Sequence, residues 1–106
     1  MSQRSHRSAP VSLELAGIRG VRLAPLVAAF VYLLRCADGT LYCGWSTDPE
    51  RRLRQHQAGT ASRYTRTRRP VELVYQREFA TRSEAMREEV RIKRLSVAAK
   101  RRLANV

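Results

Sequence analysis

Five side chains of this sequence could together hydrolyse a phosphate ester, namely Tyr32, Tyr42, Arg52, His56 and Glu89. Such a reaction needs a metal ion that polarises the phosphate, a cation for the extra negative charge of the pentacoordinate state, and a base for the attacking water. Either tyrosine alone would be interpreted as an amphipathic residue at the edge of a small sheet. Their combination with an arginine, a histidine and a carboxylate favours a catalytic interpretation.

A turn between the two tyrosines decides whether they can cooperate. Asp38-Gly39 lies between two apolar, β-rich runs, which predicts a hairpin. A two-residue loop would point Tyr32 and Tyr42 to opposite faces of the sheet. A three-residue loop with Gly39 in the left-handed conformation would instead pair Cys36 with Thr40. We predict this second register, which places on one face Tyr32, Leu34, Tyr42 and Gly44.

A basic helix is predicted directly after the hairpin. Thr47 or Asp48 can cap its start and Gly59 can end it. Arg52 and His56 are four residues apart, so they occupy one face of this helix, one turn from each other. The alternative for Arg52 is a solvated basic face, and the helix alone leaves both interpretations open.

A second long helix is predicted from a capping box, Thr81 to Glu84, to about Leu95. Its apolar positions are Ala85, Met86, Val90, Ile92 and Leu95. Glu89 lies among them, and burying an unpaired charge costs on the order of several kcal/mol. We therefore expect a positive partner for Glu89, which could be an arginine or a hard divalent cation such as Mg²⁺.

Two further elements complete the predicted secondary structure. Val71–Tyr75 shows rough alternation and predicts the start of a third strand, with Tyr75 in the core. Ser96 is expected to cap a short basic helix that contains Lys100, Arg101, Arg102 and Leu103.

Residues 60–70 contain four arginines, three threonines, a serine and a tyrosine, and we predict a loop that contacts phosphates. Tyr64 could stack on an unpaired base, worth roughly 1–3 kcal/mol, or pack into the core of a solvated loop. With the neighbouring helices, the predicted nucleic-acid contacts are Arg51, Arg63, Tyr64, Arg66, Arg68, Arg69 and Lys93.

Charge favours a polyanionic partner. The 106 residues carry 21 Lys and Arg against 9 Asp and Glu, a net charge of +12. From Ala28 onward there are 17 basic and 8 acidic side chains, a net +9, so most of the charge belongs to the folded part. Nucleic acid is the commonest polyanion for a small basic domain, although a generally basic surface would give the same composition.

Two cysteines are too few for a disulfide scaffold, and the hairpin register places Cys36 and Cys43 on opposite faces of the sheet. We expect both to be reduced, as in a cytoplasmic protein. Residues 1–27 are basic and are expected to form a disordered extension. The apolar run over residues 23–34 is too short for a membrane span of about 20 residues, so no membrane partner is expected.

Val31-Tyr32 and Tyr42-Cys43-Gly44, at this spacing, resemble the two signature halves of the GIY-YIG nuclease family. From Phe30 to about Leu95, the order of hairpin, Arg-bearing helix, third strand and Glu-bearing helix is similar to that domain. The likeness is greatest to its small single-domain bacterial members. Phe30-Val31 replaces the family's Gly-Ile and Cys43 replaces its second Ile, which are positions of packing.

The resemblance implies an α+β fold, with a small three-stranded antiparallel sheet flanked by helices in a domain over residues 28–106. It implies an endonuclease that hydrolyses DNA with one Mg²⁺ or Mn²⁺ ion in repair or recombination, directed by DNA structure or weakly selective for sequence. The DNA partner could be branched or single-stranded. Glu89 would bind the metal, and Arg52 would stabilise the developing charge. Tyr32 would deprotonate or position the attacking water. The supporting residues would be Tyr42 and His56, with Gly44 in a structural role.

Three alternatives keep the fold and change the function. The domain could be a catalytically silent module that binds DNA or RNA, or a nuclease subunit that cuts when a partner docks. It could also have a structural role on RNA or ribosomes, through its C-terminal basic helix and its arginine-rich loop. No helix carries a pattern for reading base edges. Specificity could therefore come from a protein partner or from a dimer.

Overall fold

The computed structural model describes residues 27–106. In chain order the elements are β1 (Ala29–Arg35), β2 (Leu41–Ser46), α1 (Pro49–Ala58), α2 (Arg63–Arg66), β3 (Glu72–Phe79), α3 (Arg82–Lys93) and α4 (Val97–Ala104). The expected basic extension over residues 1–27 lies, apart from Val27, outside the described residues.

The three strands form one antiparallel sheet in the order β2-β1-β3, which confirms the predicted α+β fold. The strand β1 is central, and its alternate side chains enter two clusters on the two faces of the sheet. One cluster, on the α3 and α4 side, includes Val31 and Leu33 with Ile92. The other, on the α1 side, includes Tyr32 and Leu34 with Leu53.

The hairpin has the predicted three-residue loop. Tyr32 pairs with Gly44 and Leu34 with Tyr42, so both tyrosines lie on one face. The Cys36 amide donates to the Thr40 carbonyl at 2.8 Å, and Gly39 has φ +86°. This positive φ is the conformation that glycine adopts without a steric penalty.

The helix α1 begins and ends as its sequence predicts. The Asp48 side chain accepts a hydrogen bond from the Arg51 amide at 3.1 Å, and Pro49 occupies the first turn. Gly59 ends the helix with φ +83°. These caps fix which face of α1 meets the sheet, and His56 is on that face with 1% of its surface exposed.

Residues 60–70 differ from the prediction of a loop, because Arg63–Arg66 form the short helix α2. The Ser62 hydroxyl caps it by accepting from the Thr65 amide at 3.1 Å. The helix is stabilised by tertiary contact, since Thr65 is fully buried against His56. Repeated arginines gave no apolar periodicity from which a helix could be predicted.

The helix α3 has the predicted capping box between Thr81 and Glu84, but its buried face differs from the prediction. Ala85 and Ile92 are buried, whereas Met86 and Val90 are 46% and 45% exposed. The inward face follows the spacing i, i+3, i+4, i+7 and carries Ala85, Glu88, Glu89 and Ile92. Glu89 therefore faces inward without the two apolar neighbours that the sequence suggested.

The last element is α4, which Ser96 caps as predicted. Tyr75 is partly buried and packs against the core cluster on the α3 and α4 side of the sheet. Between residues 27 and 106, no helix has the length and apolar character needed to cross a membrane.

Candidate functional site

The site lies at the outer edge of the sheet, where Tyr32 crosses the edge strand β2. A Cβ added to Gly44 would stand 2.5 Å from the Tyr32 Oη and 2.7 Å from its Cζ. Glycine is therefore required at this position because the tyrosine ring occupies the space of a side chain. The ring carries its hydroxyl from the central strand across β2 toward α1.

A buried chain of hydrogen bonds begins at this hydroxyl. The Tyr32 Oη is 3.0 Å from the His56 Nε2, and the His56 Nδ1 is 2.7 Å from the Thr65 Oγ1. The Thr65 Oγ1 is in turn 2.8 Å from the Ser62 Oγ. Because neutral imidazole has one donor and one acceptor nitrogen, the tautomer of His56 sets the direction of both of its bonds.

Burial and charge set the protonation of these groups. Burial, and secondarily the nearby Arg52 guanidinium, lower the pKa of His56 to about 4. Burial raises the pKa of Tyr32 above its ordinary value, and the neighbouring Tyr42 adds to the rise while Arg52 opposes it. At neutral pH the pair is therefore a neutral imidazole and a neutral phenol.

The second signature tyrosine, Tyr42, is held by other aromatic rings. Its ring meets the edge of His56 at a centroid distance of 5.1 Å and stacks on Tyr64 at 5.7 Å. The Arg68 guanidinium lies 3.8 Å from the centroid of the Tyr64 ring and pairs with Asp38 at 3.1 Å. Tyr64, predicted to stack on a base or to pack into the core, is 37% exposed and already contacts two side chains.

Arg52 is partly buried on α1 and lines two small clefts beside the end of β2. No ion pair or hydrogen bond engages its side chain within residues 27–106. Its charge lowers the pKa of both Tyr32 and His56, so Arg52 lies close enough to both rings to influence their protonation. A cation with this placement is free to meet a phosphate.

Glu89 approaches the edge strand from the opposite face of the sheet. The Cys43 Sγ lies 4.0 Å from the Glu89 carbonyl, and the Glu89 carboxylate pairs with Lys93 at 3.3 Å. Only 17% of the Glu89 side chain is exposed. Its charge raises the pKa of Tyr32, and after burial it is the largest cause that raises the pKa of Cys43 to about 12.

The adjacent carboxylate, Glu88, has a different environment. It accepts two hydrogen bonds from Arg91, at 2.9 and 2.6 Å, and lies 4.0 Å from Arg77. These contacts hold the pKa of Glu88 below its usual value. Its oxygens are already satisfied by arginine, so Glu89 is the better ligand for a cation.

The donor set at Glu89 fits Mg²⁺ or Mn²⁺. A hard divalent cation prefers oxygen ligands and is commonly held by one or two carboxylates together with water and substrate phosphate. Within residues 27–106, no cluster of three or more His, Cys, Asp or Glu side chains could form an all-protein cage. A single carboxylate therefore suits a metal whose remaining ligands come from water and phosphate.

The arginines predicted to contact nucleic acid fall into two groups. Arg68 and Arg69 support the fold. Arg68 pairs with Asp38, and Arg69 donates to the carbonyls of Arg66 and Gln57 at 2.9 and 3.2 Å. The exposed arginines whose side chains make no ion pair or hydrogen bond within residues 27–106 include Arg51, Arg63 and Arg66.

Sequence reasoning missed four residues of this region. Thr65 and Ser62 support His56, and the Ser62 cap was the signal that could have revealed them. Trp45 and Arg82 line a cleft with Arg52, and no sequence pattern connects them.

Comparison with known proteins agrees with this architecture. The family model of the GIY-YIG catalytic domain matches residues 28–102. A UPF0213 protein of Natronomonas pharaonis is 53% identical over 74 residues, which cover 70% of this chain and 87% of that relative. A UPF0213 protein of Staphylococcus haemolyticus is 51% identical over 67 residues, 63% of this chain and 82% of that one. The solution NMR structure of an E. faecalis protein has a TM-score of 0.51 and 40% identity, covering 71% of this chain and 80% of the other. With its signature tyrosines on one face of an α+β domain, this chain belongs to the GIY-YIG family.

Proposed function

We propose that this protein is an endonuclease that hydrolyses phosphodiester bonds in DNA with the help of one Mg²⁺ or Mn²⁺ ion. The observation that carries the proposal is the buried chain from Tyr32 through His56 to Thr65, which holds a phenol at the sheet edge. Beside it lies Arg52, which has no ion pair among the described residues. Such a pre-oriented polar chain serves catalysis better than stability, because each buried polar group must be desolvated.

Arg52 stabilises the charge that develops on the phosphate. Its guanidinium has no partner within residues 27–106 and is therefore available to phosphate oxygens. His56 stays neutral and fixes the orientation of the Tyr32 hydroxyl, while Tyr42 packs against the imidazole. These contacts support a positioning role for His56 and Tyr42.

Tyr32 orients the attacking water through its hydroxyl. Burial is the largest cause that raises its pKa, and the charge of Glu89 contributes least. The phenol therefore holds its proton at neutral pH, and we propose that Tyr32 positions the water and does not deprotonate it. Glu89 would hold the divalent cation, which would polarise the phosphate.

Charge and exposed arginines support nucleic acid as the substrate. The net charge of +12 favours a polyanion, and the guanidinium groups of Arg51, Arg63 and Arg66 have no partner among residues 27–106. We infer recognition of DNA structure over sequence, in repair or recombination, with specificity supplied by a protein partner or a dimer. The free, buried thiols of Cys36 and Cys43 fit the reducing cytoplasm.

A cleavage assay tests the proposal. Labelled single-stranded, duplex, flap and junction DNA would be incubated with the protein in Mg²⁺, Mn²⁺ or chelator. We expect cleavage that requires metal and is lost in Glu89→Gln and Tyr32→Phe. Matched controls are Glu88→Gln, which changes the adjacent carboxylate, and Tyr75→Phe, which removes a hydroxyl from the core, and both should cleave normally. Equal loss in a variant and its control would contradict the assigned roles.

One observation favours the alternative of a binding module without cleavage. The Glu89 carboxylate is ion-paired with Lys93 at 3.3 Å, so a cation of the chain itself already offsets its charge. A silent module would bind DNA or RNA with the same affinity in metal and in chelator, and it would leave all four DNA forms intact.

A further inference from the structure

A cleft of about 310 Å³ lies beside the candidate site, between the end of β2 and the start of α3. It is lined by Trp45, Ser46, Thr47, Arg52 and Arg82. Two of these five side chains are guanidinium cations, two are hydroxyls, one is an indole, and none is a carboxylate. A cleft of this composition attracts an anion and offers an aromatic surface next to it.

Arg52 connects this cleft to the reactive groups. The same guanidinium lines the cleft and lowers the pKa of Tyr32 and His56. A phosphate that contacts Arg52 from the cleft is therefore next to the proposed scissile position. Arg82 stands at the first position of α3 and, within the described part of the chain, has no ion pair.

The size and the aromatic wall of the cleft identify the class of ligand. Pockets for small ligands begin at about 300 Å³, which is enough for one nucleotide. Trp45 packs against the core cluster and keeps part of its surface exposed at the cleft. Aromatic side chains beside cationic groups are typical of sites for single-stranded nucleic acid, because an unpaired base has a free face to stack.

We propose that this cleft binds an unpaired nucleotide adjacent to the scissile phosphate, with its phosphate between Arg52 and Arg82 and its base against Trp45. The inference rests on the proposed function and adds the substrate class, which is nucleic acid that is single-stranded at the cut. A continuous duplex cannot place a base on Trp45, because both faces of each base are stacked within the helix. Single strands, flaps and loops meet the requirement.

Trp45 reports on the cleft directly, because it is the only tryptophan of the chain. The full chain would be titrated in chelator with an oligodeoxyuridylate, an oligouridylate of the same length and a blunt duplex. Binding would be followed in parallel by anisotropy of a labelled strand and by tryptophan emission. We expect the single strands to change the emission over the same concentration range as the anisotropy, and the duplex to bind without that change. A difference between the two single strands would identify the preferred sugar.

The variant Arg82→Ala should weaken single-strand binding about 5-fold or more, since it removes a charged phosphate contact. Its matched control, Arg87→Ala, removes an exposed arginine from the same helix outside the cleft and should change binding less than about 2-fold. Equal losses in the two variants, an unchanged emission while anisotropy reports binding, or an equal response to duplex would each overturn the proposal. The titration is run in chelator, so its outcome does not depend on cleavage. If the separate cleavage assay showed no cutting, the proposed hydrolytic function would fail, and the binding result would still test the cleft.

Discussion

The hydroxyl of Tyr32 occupies the space that a side chain on Gly44 would fill, at 2.5 Å from the ideal Cβ position. This relationship explains why the second half of the signature ends in glycine. The tyrosine from the central strand can reach the sheet edge, and His56 beyond it, because the edge strand has no side chain in its path.

Gly44→Ala should displace Tyr32 and reduce cleavage at least about 100-fold, because misplacement of a group by about 1 Å has that effect. The measurement is cleavage rate beside a thermal melt. Gly39→Ala is the control, since no atom of the described residues lies within 4 Å of a Cβ there although its φ is +86°. It should cost about 1 kcal/mol of stability and leave cleavage unchanged. Normal cleavage by Gly44→Ala would contradict the steric argument.

His56 should make stability depend on pH. Its pKa falls from 6.5 in the unfolded chain to about 4 in the folded protein. Between these values the unfolded chain binds a proton that the folded protein excludes, so the free energy of unfolding decreases as pH falls from about 6.5 to about 4. The expected loss is on the order of 2 kcal/mol. Urea unfolding of wild type and His56→Gln across this range measures it, and the difference between them should shrink at low pH.

Thr65→Val should leave the His56 Nδ1 without its partner at 2.7 Å. A buried polar group that loses its hydrogen bond costs about 1–3 kcal/mol of stability. Cleavage should also fall, because the imidazole tautomer that orients Tyr32 is no longer fixed. Thr65→Ser keeps the hydroxyl and should restore both the nitrogen chemical shifts of His56 and the cleavage rate. Identical shifts in wild type and Thr65→Val would exclude this positioning role.

Lys93→Met should increase the affinity for Mn²⁺ about 2- to 5-fold, because it removes the cation that competes for Glu89 at 3.3 Å. Metal binding measured by calorimetry without nucleic acid separates this effect from cleavage. Arg94→Met is the control, since it removes a neighbouring positive charge that does not pair with Glu89. Equal gains in the two variants would show that general charge, and not the ion pair, controls metal binding.

Features that depend on local interactions followed from the sequence. The hairpin register came from the Asp38-Gly39 turn and the period of two, and the ends of α1 and α3 came from Asp48, Gly59 and Thr81. Turns and caps satisfy backbone groups within a few residues, so their chemistry is visible in the sequence. The placement of both tyrosines on one face followed from the same local rules.

Features that depend on packing required the tertiary structure. The short helix that brings Thr65 to His56 has no periodic signal, and the exposure of Met86 and Val90 depends on which face of α3 meets the sheet. The pairing of Arg68 with Asp38 joins residues 30 positions apart. The sequence by itself determined the local geometry of the two tyrosines and the helix ends. Only the tertiary structure decided what surrounds them, because burial and electrostatic environment arise from segments that are distant along the chain.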